Sequence, residues 1–195
     1  MKRSLSALLL IALWISGCSS VRLVDSDVTT HSSLTTVQPG AGYRFERLPS
    51  QQVQADRQAA LERTVAPVLA RAGLSPVTAG ARYSVLLSAR TQREPRAPWD
   101  DPYPGPGGHE PLITSNGGVR WVLPMMRMDS PWYRREVSVL IRDLNTQQLV
   151  YESHASHEGR WADNDAVLPA MFEAALRGFP NPPAGPRRVP VEIPG

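Results

Sequence analysis

The stretch "REVSVLIRDLNTQQLVYESHA", Arg135 to Ala155, decides the fold. Val137, Val139 and Ile141 alternate with Ser138, Leu140 and Arg142, and Leu149, Tyr151, Ser153 and Ala155 alternate with Val150, Glu152 and His154. A period of two places one set of side chains on a buried face and the other in water, the pattern of a strand packed on one side only. The polar link between the two runs is too short for a crossover helix, so they form an antiparallel hairpin. Parity constrains its turn: Ile141 and Leu149 share a face only if the loop holds an odd number of residues or a bulge absorbs the difference. A two-residue Asn145-Thr146 turn is thereby disfavoured.

Working outward, "VDSDVTT" (24–30) puts Val24, Ser26, Val28 and Thr30 on one face, and "YRFERL" (43–48) alternates Tyr43 and Phe45 against Arg44 and Glu46 before Pro49. Both read as strands. The period then changes: Leu61, Val65, Val68, Leu69 and Ala72 form one helical stripe, stopped at Gly73 and Pro76, with Pro67 predicting a kink. Arg82 to Thr91 is a further strand, with Tyr83, Val85, Leu87 and Ala89 inward. A second helix carries Leu168, Met171, Phe172, Ala175, Leu176 and Phe179, with Asp163 or Asn164 as its cap and Gly178 as its stop.

Two segments break the pattern. Gln92 to Trp132 contains eight prolines and the run "PWDDPYPGPGGHEP", and 181–195 is a proline-rich tail read as extended or disordered. The expected fold is therefore α+β: an antiparallel sheet of about five strands with two helices packed on one face, a two-layer sandwich carrying a long Pro/Gly-rich insertion. Residues 24–180 form a single domain, with the insertion at 92–132.

The N-terminus carries an address. Lys2 and Arg3 precede the apolar run Leu5 to Ile15, which is of signal-peptide length and too short for a spanning helix. The sequence Ile15-Ser16-Gly17-Cys18 that follows resembles the bacterial lipoprotein lipobox and contains the chain's single cysteine. One cysteine cannot form an internal disulfide. The resemblance implies a signal peptide at 1–17, lipid attachment through a thioether at Cys18 (acyl chains and diacylglycerol), and a short tether over 18–23. More than one acyl chain makes such anchoring stable. By the same resemblance Ser19, where an aspartate would retain the protein in the inner membrane, sorts the chain to the outer membrane, facing the periplasm.

Charge argues against a nucleic-acid partner. The chain has 21 basic and 18 acidic residues. Loss of Lys2 and Arg3 with the signal leaves 19 basic residues, all arginine, and a balance near neutrality that forms no polyanion-binding footprint. No catalytic constellation stands out either. His154 and His157 point to opposite faces of a strand and cannot share a metal. Asp163, Asn164 and Asp165 lack the remaining ligands of a calcium loop and suit a helix cap. No nucleophile elbow or phosphate loop occurs. The expectation is no catalytic residue, no metal and no cofactor beyond the lipid.

A lipobox, "YRFERLP", a helix followed by "AGLSPV", "YSVLLSA", the hairpin "VSVLIRDLNTQQLVYES" and a final "LRGFP" together resemble bacterial lipoproteins of the domain of unknown function 4136 family. Against that pattern Tyr151 stands where tryptophan is more usual, and Gln147 where a turn glycine is. The resemblance implies location and fold and assigns no activity. The expected function is a non-enzymatic, membrane-anchored interaction module for an envelope protein; the alternative is a carrier of a small apolar ligand or lipid between sheet and helices. Aromatic and methionine side chains are enriched at interfaces, so the insertion supplies the candidate binding surface: Trp99, Tyr103, Trp121, Met125, Met126, Trp132 and Tyr133.

Overall fold

The computed structural model describes residues 21–95, 97, 110–122 and 131–194. Along the chain run β1 (Val21–Ser32), β2 (Ala41–Glu46), α1 (Pro49–Gln52), α2 (Ala55–Arg71), β3 (Leu74–Pro76), β4 (Tyr83–Glu94), β5 (Glu110–Ile113), β6 (Val119–Val122), β7 (Trp132–Asp143), β8 (Leu149–Gly159), α3 (Asn164–Leu176) and β9 (Arg187–Pro194). Seven strands make the main sheet, in the order β3-β2-β4-β7-β8-β1-β9, and β5 and β6 form a separate hairpin.

The α+β class fits, but the expected antiparallel five-strand sheet does not. The sheet is mixed: β2 runs parallel to both β3 and β4, and the described residues contain three helices. The physical reason lies between the strands. After β2 the chain climbs through α1 and α2, and a helical crossover returns the next strand parallel to the one before it. The three residues of β3 are too few to show alternation. The seventh strand comes from the tail: Val189, Val191 and Ile193 point inward, and β9 pairs antiparallel with β1 from Val21↔Pro194 to Val28↔Arg187. Pro190 and Pro194 fall at alternate positions, which an edge strand tolerates because it needs an N–H only toward its one neighbour. Both ends of the expected insertion are strand as well, since β4 continues to Glu94 and β7 begins at Trp132, and these residues pair with each other.

One face of the sheet is apolar. Val24 and Val28, Tyr83, Val85 and Leu87, Val137, Val139 and Ile141, and Tyr151 and Ala155 form a core with Val65, Val68 and Leu69 of α2 and with Val167, Met171, Phe172 and Ala175 of α3. The opposite face carries Glu136, Ser138, Arg142, Glu152, His154 and Glu158 and needs no cover. α3 is apolar on most sides because it lies over the β7-β8-β1-β9 half of the sheet. Its last turn is tied down by Tyr151 Oη and Ser153 Oγ, which both donate to Ala175 O at 2.8 Å. They satisfy a carbonyl that the end of a helix leaves without a partner. Burial pushes the Tyr151 phenol above its ordinary value. α2 runs from Ala55 to Arg71 through Pro67, and Gly73 and Gly178 follow the helices at φ +88° and +86°, as stops should.

The β7–β8 hairpin resolves the parity constraint with a bulge. Ile141 pairs with Tyr151 but Arg142 pairs with Leu149, so Val150 is the extra residue. Leu149 is consequently turned out and 44% exposed, off the buried face expected of it. At the turn, the N–H groups of Asn145 and Thr146 donate to Asp143 Oδ1 at 2.8 and 3.3 Å. Burial opposes the Asp143 charge, but these bonds and Arg82 outweigh it and hold the carboxyl below its ordinary range. Gln147 adopts φ +60°, the left-handed conformation for which glycine is suited.

Two outcomes test this description. Val191→Asp buries an unpaired charge and is expected to cost on the order of 3 kcal/mol in urea unfolding, whereas Glu192→Ala, on the exposed side of β9, leaves stability nearly unchanged. Gln147→Gly relieves left-handed strain of about 1 kcal/mol. Its offsetting loss is one exposed bond, from Gln147 Nε2 to Leu144 O, so the variant should unfold at a higher urea midpoint.

Candidate functional site

Strand direction gathers several features at one end of the sheet. β1 starts at Val21, across from the end of β9; β8 ends at Gly159, beside Tyr133 near the start of β7; and β4 ends at Glu94 across from Trp132. α3 begins at the same end. Its cap is Asp163, whose carboxylate accepts from Ala166 N at 3.1 Å and from Arg22 Nη2 at 3.0 Å. Arg22 also lies 5.0 Å over the Trp161 ring. The Arg22 hydrogen bond, followed by the Ala166 N–H, holds the Asp163 carboxyl below its ordinary range.

Beneath this cap lies Arg135, fully buried on the apolar face of β7. Its Nε donates to Asn164 Oδ1 at 2.7 Å and its Nη2 to Trp161 O, and its guanidinium stacks 5.1 Å from the Tyr133 ring. Burial lowers its pKa from the ordinary arginine value. The side chain holds the Trp161–Asn164 segment, and with it the start of α3, down on the sheet.

Next to that corner opens a cleft of about 500 Å³, within the range of roughly 300 to 1,000 Å³ common for ligand sites. Its walls are the α1–α2 corner with Gln51, Gln54, Arg57, Gln58 and Leu61, the β4 residues Ser88, Ala89 and Thr91, and Asn164, Asp165 and Leu168 of α3. Gln54, Arg57, Gln58, Leu61 and Thr64 fall at helical spacing, so one face of α2 lines the cleft while the adjoining face, with Val65 and Leu69, enters the core. The lining is mainly amides and hydroxyls, with one cation, one carboxylate and two leucines.

β4 forms the floor, and its edge is unusual. β2 pairs with β4 only from Tyr83 to Leu86. At Leu87 the strand is replaced by side chains: Gln51 Nε2 and Gln58 Nε2 donate to Leu87 O at 2.7 and 3.3 Å. From Ser88 to Glu94, β7 lies on one side and, among the described residues, no strand lies on the other.

The residues expected from sequence are distributed differently. Cys18, Ser19, Trp99, Tyr103, Met125 and Met126 lie outside the described residues. Trp121 is in β6, across from Pro111. Trp132 and Tyr133 are strand residues of β7: Trp132 is 7% exposed and its Nε1 donates to Glu158 Oε2 at 3.4 Å, and Tyr133 stacks with Arg135. Neither stands free on an irregular loop. His154 is exposed and bonds Glu152 at 2.8 Å, whereas His157 lies on the buried face with Nδ1 2.6 Å from Asp25 O. Among the described residues no cluster of His, Cys, Asp or Glu could hold a metal ion, and no helix is long and apolar enough to cross a membrane. The sequence carried one signal for the cleft, the glutamines at 51, 54 and 58, and one for the corner beside it, Arg135, whose parity puts it on the face of Val137 and Val139.

The Asp163 contacts predict a pH-dependent contribution. A carboxyl whose folded pKa is depressed stabilises the fold above its unfolded value, near about 3.9, and loses that effect as pH falls through the lower folded value. Asp163→Ala should therefore lower the melting temperature at neutral pH, and the gap to the wild type should close in acid. Thermal melts followed by circular dichroism across that range check both parts.

Among solved structures, a PDZ domain protein from Parabacteroides distasonis is 14% identical, aligns over 95% of this chain and 42% of its own, and has a TM-score of 0.52. The likeness is one of fold, and this chain spans about two fifths of that protein's length. Two PelC dodecamer structures from Paraburkholderia phytofirmans, 11% and 12% identical, align over 77% of this chain and 94% of theirs at TM-scores of 0.44 and 0.45. No curated protein matches the chain. The family model described as a domain of unknown function (DUF4136) matches residues 24–181, from β1 through α3 and short of β9. With most of its length inside that match, the chain belongs to the DUF4136 family.

Proposed function

We propose that this protein is a non-catalytic envelope lipoprotein, held by acyl chains on Cys18 at the periplasmic face of the outer membrane, whose domain is a protein-interaction module. The observation that carries the proposal is the place where β1 begins. Val21 follows Cys18 by three residues, at most about 11 Å of extended chain, and it stands at the sheet end where β4, β7 and α3 place the cleft. A lipid on Cys18 would hold that end close to the membrane surface. Val21, Leu23 and Trp161, 58%, 54% and 49% exposed, lie at the same end.

The lining of amides and hydroxyls supports an interaction role over carriage of an apolar ligand, because covering such groups with an apolar surface forgoes the hydrogen bonds they make with water. The test is intact mass and membrane fractionation of the wild type beside Cys18→Ala. The expected result is a mature chain beginning at Cys18 with added acyl mass, found in the outer membrane, and loss of both lipid and membrane association in the variant. An unlipidated wild-type chain overturns the anchor. Native mass spectrometry addresses the carrier alternative, for which a co-purified lipid held by the folded domain is the diagnostic result.

A further inference from the structure

The sheet guards two of its edges and, among the described residues, leaves a third without a neighbouring strand. Unpaired backbone along an edge strand is a template for pairing with another chain, and proteins blunt it with short strands, proline, charge or a bulge. β3, at one margin, is three residues long and ends in Pro76; β9, at the other, carries Pro190 and Pro194 with Arg187 and Arg188. The Ser88–Glu94 segment of β4 is treated differently. It carries Arg90, Arg93 and Glu94 but holds no proline and no bulge, its register with β7 runs unbroken from Tyr83↔Asp143 to Glu94↔Trp132, and its Ala89 and Thr91 line the cleft.

The direction of its hydrogen-bonding groups follows from Leu87. Leu87 O points away from β7, toward Gln51 and Gln58. In an antiparallel pair the backbone groups alternate, so Ala89, Thr91 and Arg93 also direct N–H and C=O away from β7, while Ser88, Arg90 and Gln92 spend theirs on it. Three successive donor and acceptor pairs at strand spacing match one chemical object, an extended polypeptide backbone.

We infer that the Ser88–Glu94 edge of β4 is a docking site for an extended, uncharged segment of a partner protein, which adds to the sheet as a strand in the lane vacated by β2. The inference deepens the interaction-module reading and rests on it. Strand addition draws affinity from main-chain hydrogen bonds and specificity from pockets for alternate side chains. Side chains of the incoming strand on the helix side enter the cleft, where Leu61 of α2 and Leu168 of α3 offer apolar contact above Ala89, flanked by Gln54, Gln58 and Asn164. Arg57 and Asp165 oppose one another in sign, so the cleft selects for neither charge. The preferred segment has small or branched apolar residues at every second position.

The probe is the capped hexapeptide acetyl-Ser-Val-Ser-Leu-Ser-Val-amide, added at millimolar concentration to the purified full chain, with amide hydrogen exchange read residue by residue. Exchange at Ala89, Thr91 and Arg93 is expected to slow by about tenfold or more, with no change at Ser88, Arg90 and Gln92. The effect should vanish with a peptide N-methylated on alternate amides, and with Thr91→Pro, which removes an outward N–H and spares the β7 ladder. If Thr91→Pro fails to fold, the N-methylated peptide alone decides. Absence of protection, protection without parity, or protection that survives N-methylation overturns the site. Protection already present without peptide also overturns it, assigning the lane to the chain's own insertion in a monomer or to a second copy in a dimer, as sedimentation would distinguish. The peptide experiment does not depend on the acyl chains, so failure of the Cys18 anchor and failure of the edge site are separately visible.

Discussion

The twelve-residue ladder between β4 and β7 is the constraint on which the rest of this structure depends. It is twice as long as β2 and four times as long as β3, so the sheet cannot be rectangular. The long strands project beyond the short ones, and everything distinctive is built on that projection. The insertion springs from its tip, α3 starts beside it, and the corner between α1 and α2 fills part of the missing lane. Because β4 and β7 bond to each other along their whole length, β4 is tied on one side of the projection and, among the described residues, has no strand on the other.

The helix layer explains why the projection stays flat on the core. α3 is fastened at both ends by polar groups that rise from the apolar face: Arg135 through Asn164 and Trp161 O at its start, Tyr151 and Ser153 through Ala175 O at its end. An uncharged hydrophobic helix over a sheet could slide by a turn at small cost in buried area. Directional bonds at two points, in a low-dielectric setting where unmade bonds are expensive, fix its position. The same logic places Glu62 and Arg47, a buried carboxylate with its guanidinium bonded through two contacts, at the other helix.

Much of the core was legible from alternation alone. Val24 to Thr30, Tyr83 to Leu87 and Val137 to Ile141 show their buried faces directly, and Gly73, Asp163 and Gly178 mark helix ends as their backbone chemistry requires. What was not legible has identifiable causes. Strand direction is invisible to a period of two, although the strand-helix-strand order around α2 already implied a parallel return. The β9 strand was hidden because proline at 190 and 194 outweighed the alternation of Val189, Val191 and Ile193, and only an edge position reconciles the two. Leu149 was misplaced by one bulge, whose existence parity required but whose location it could not give. The cleft was missed because its residues come from four separate elements, and the glutamines at 51, 54 and 58 become legible as its lining only once the fold brings β4 beneath them.

The two glutamines that cap Leu87 have a consequence beyond satisfying one carbonyl. They stand at the boundary between paired and unpaired β4, and by occupying that oxygen they mark a start line: a strand entering the lane has Ala89 as its first free partner. A strand entering by that route would have to begin its pairing there and could not extend it back past Leu87. Since a shift of one residue would exchange the inward and outward side chains of a whole segment, a limit on where pairing can begin also bears on which half of a visitor's side chains could face the helices.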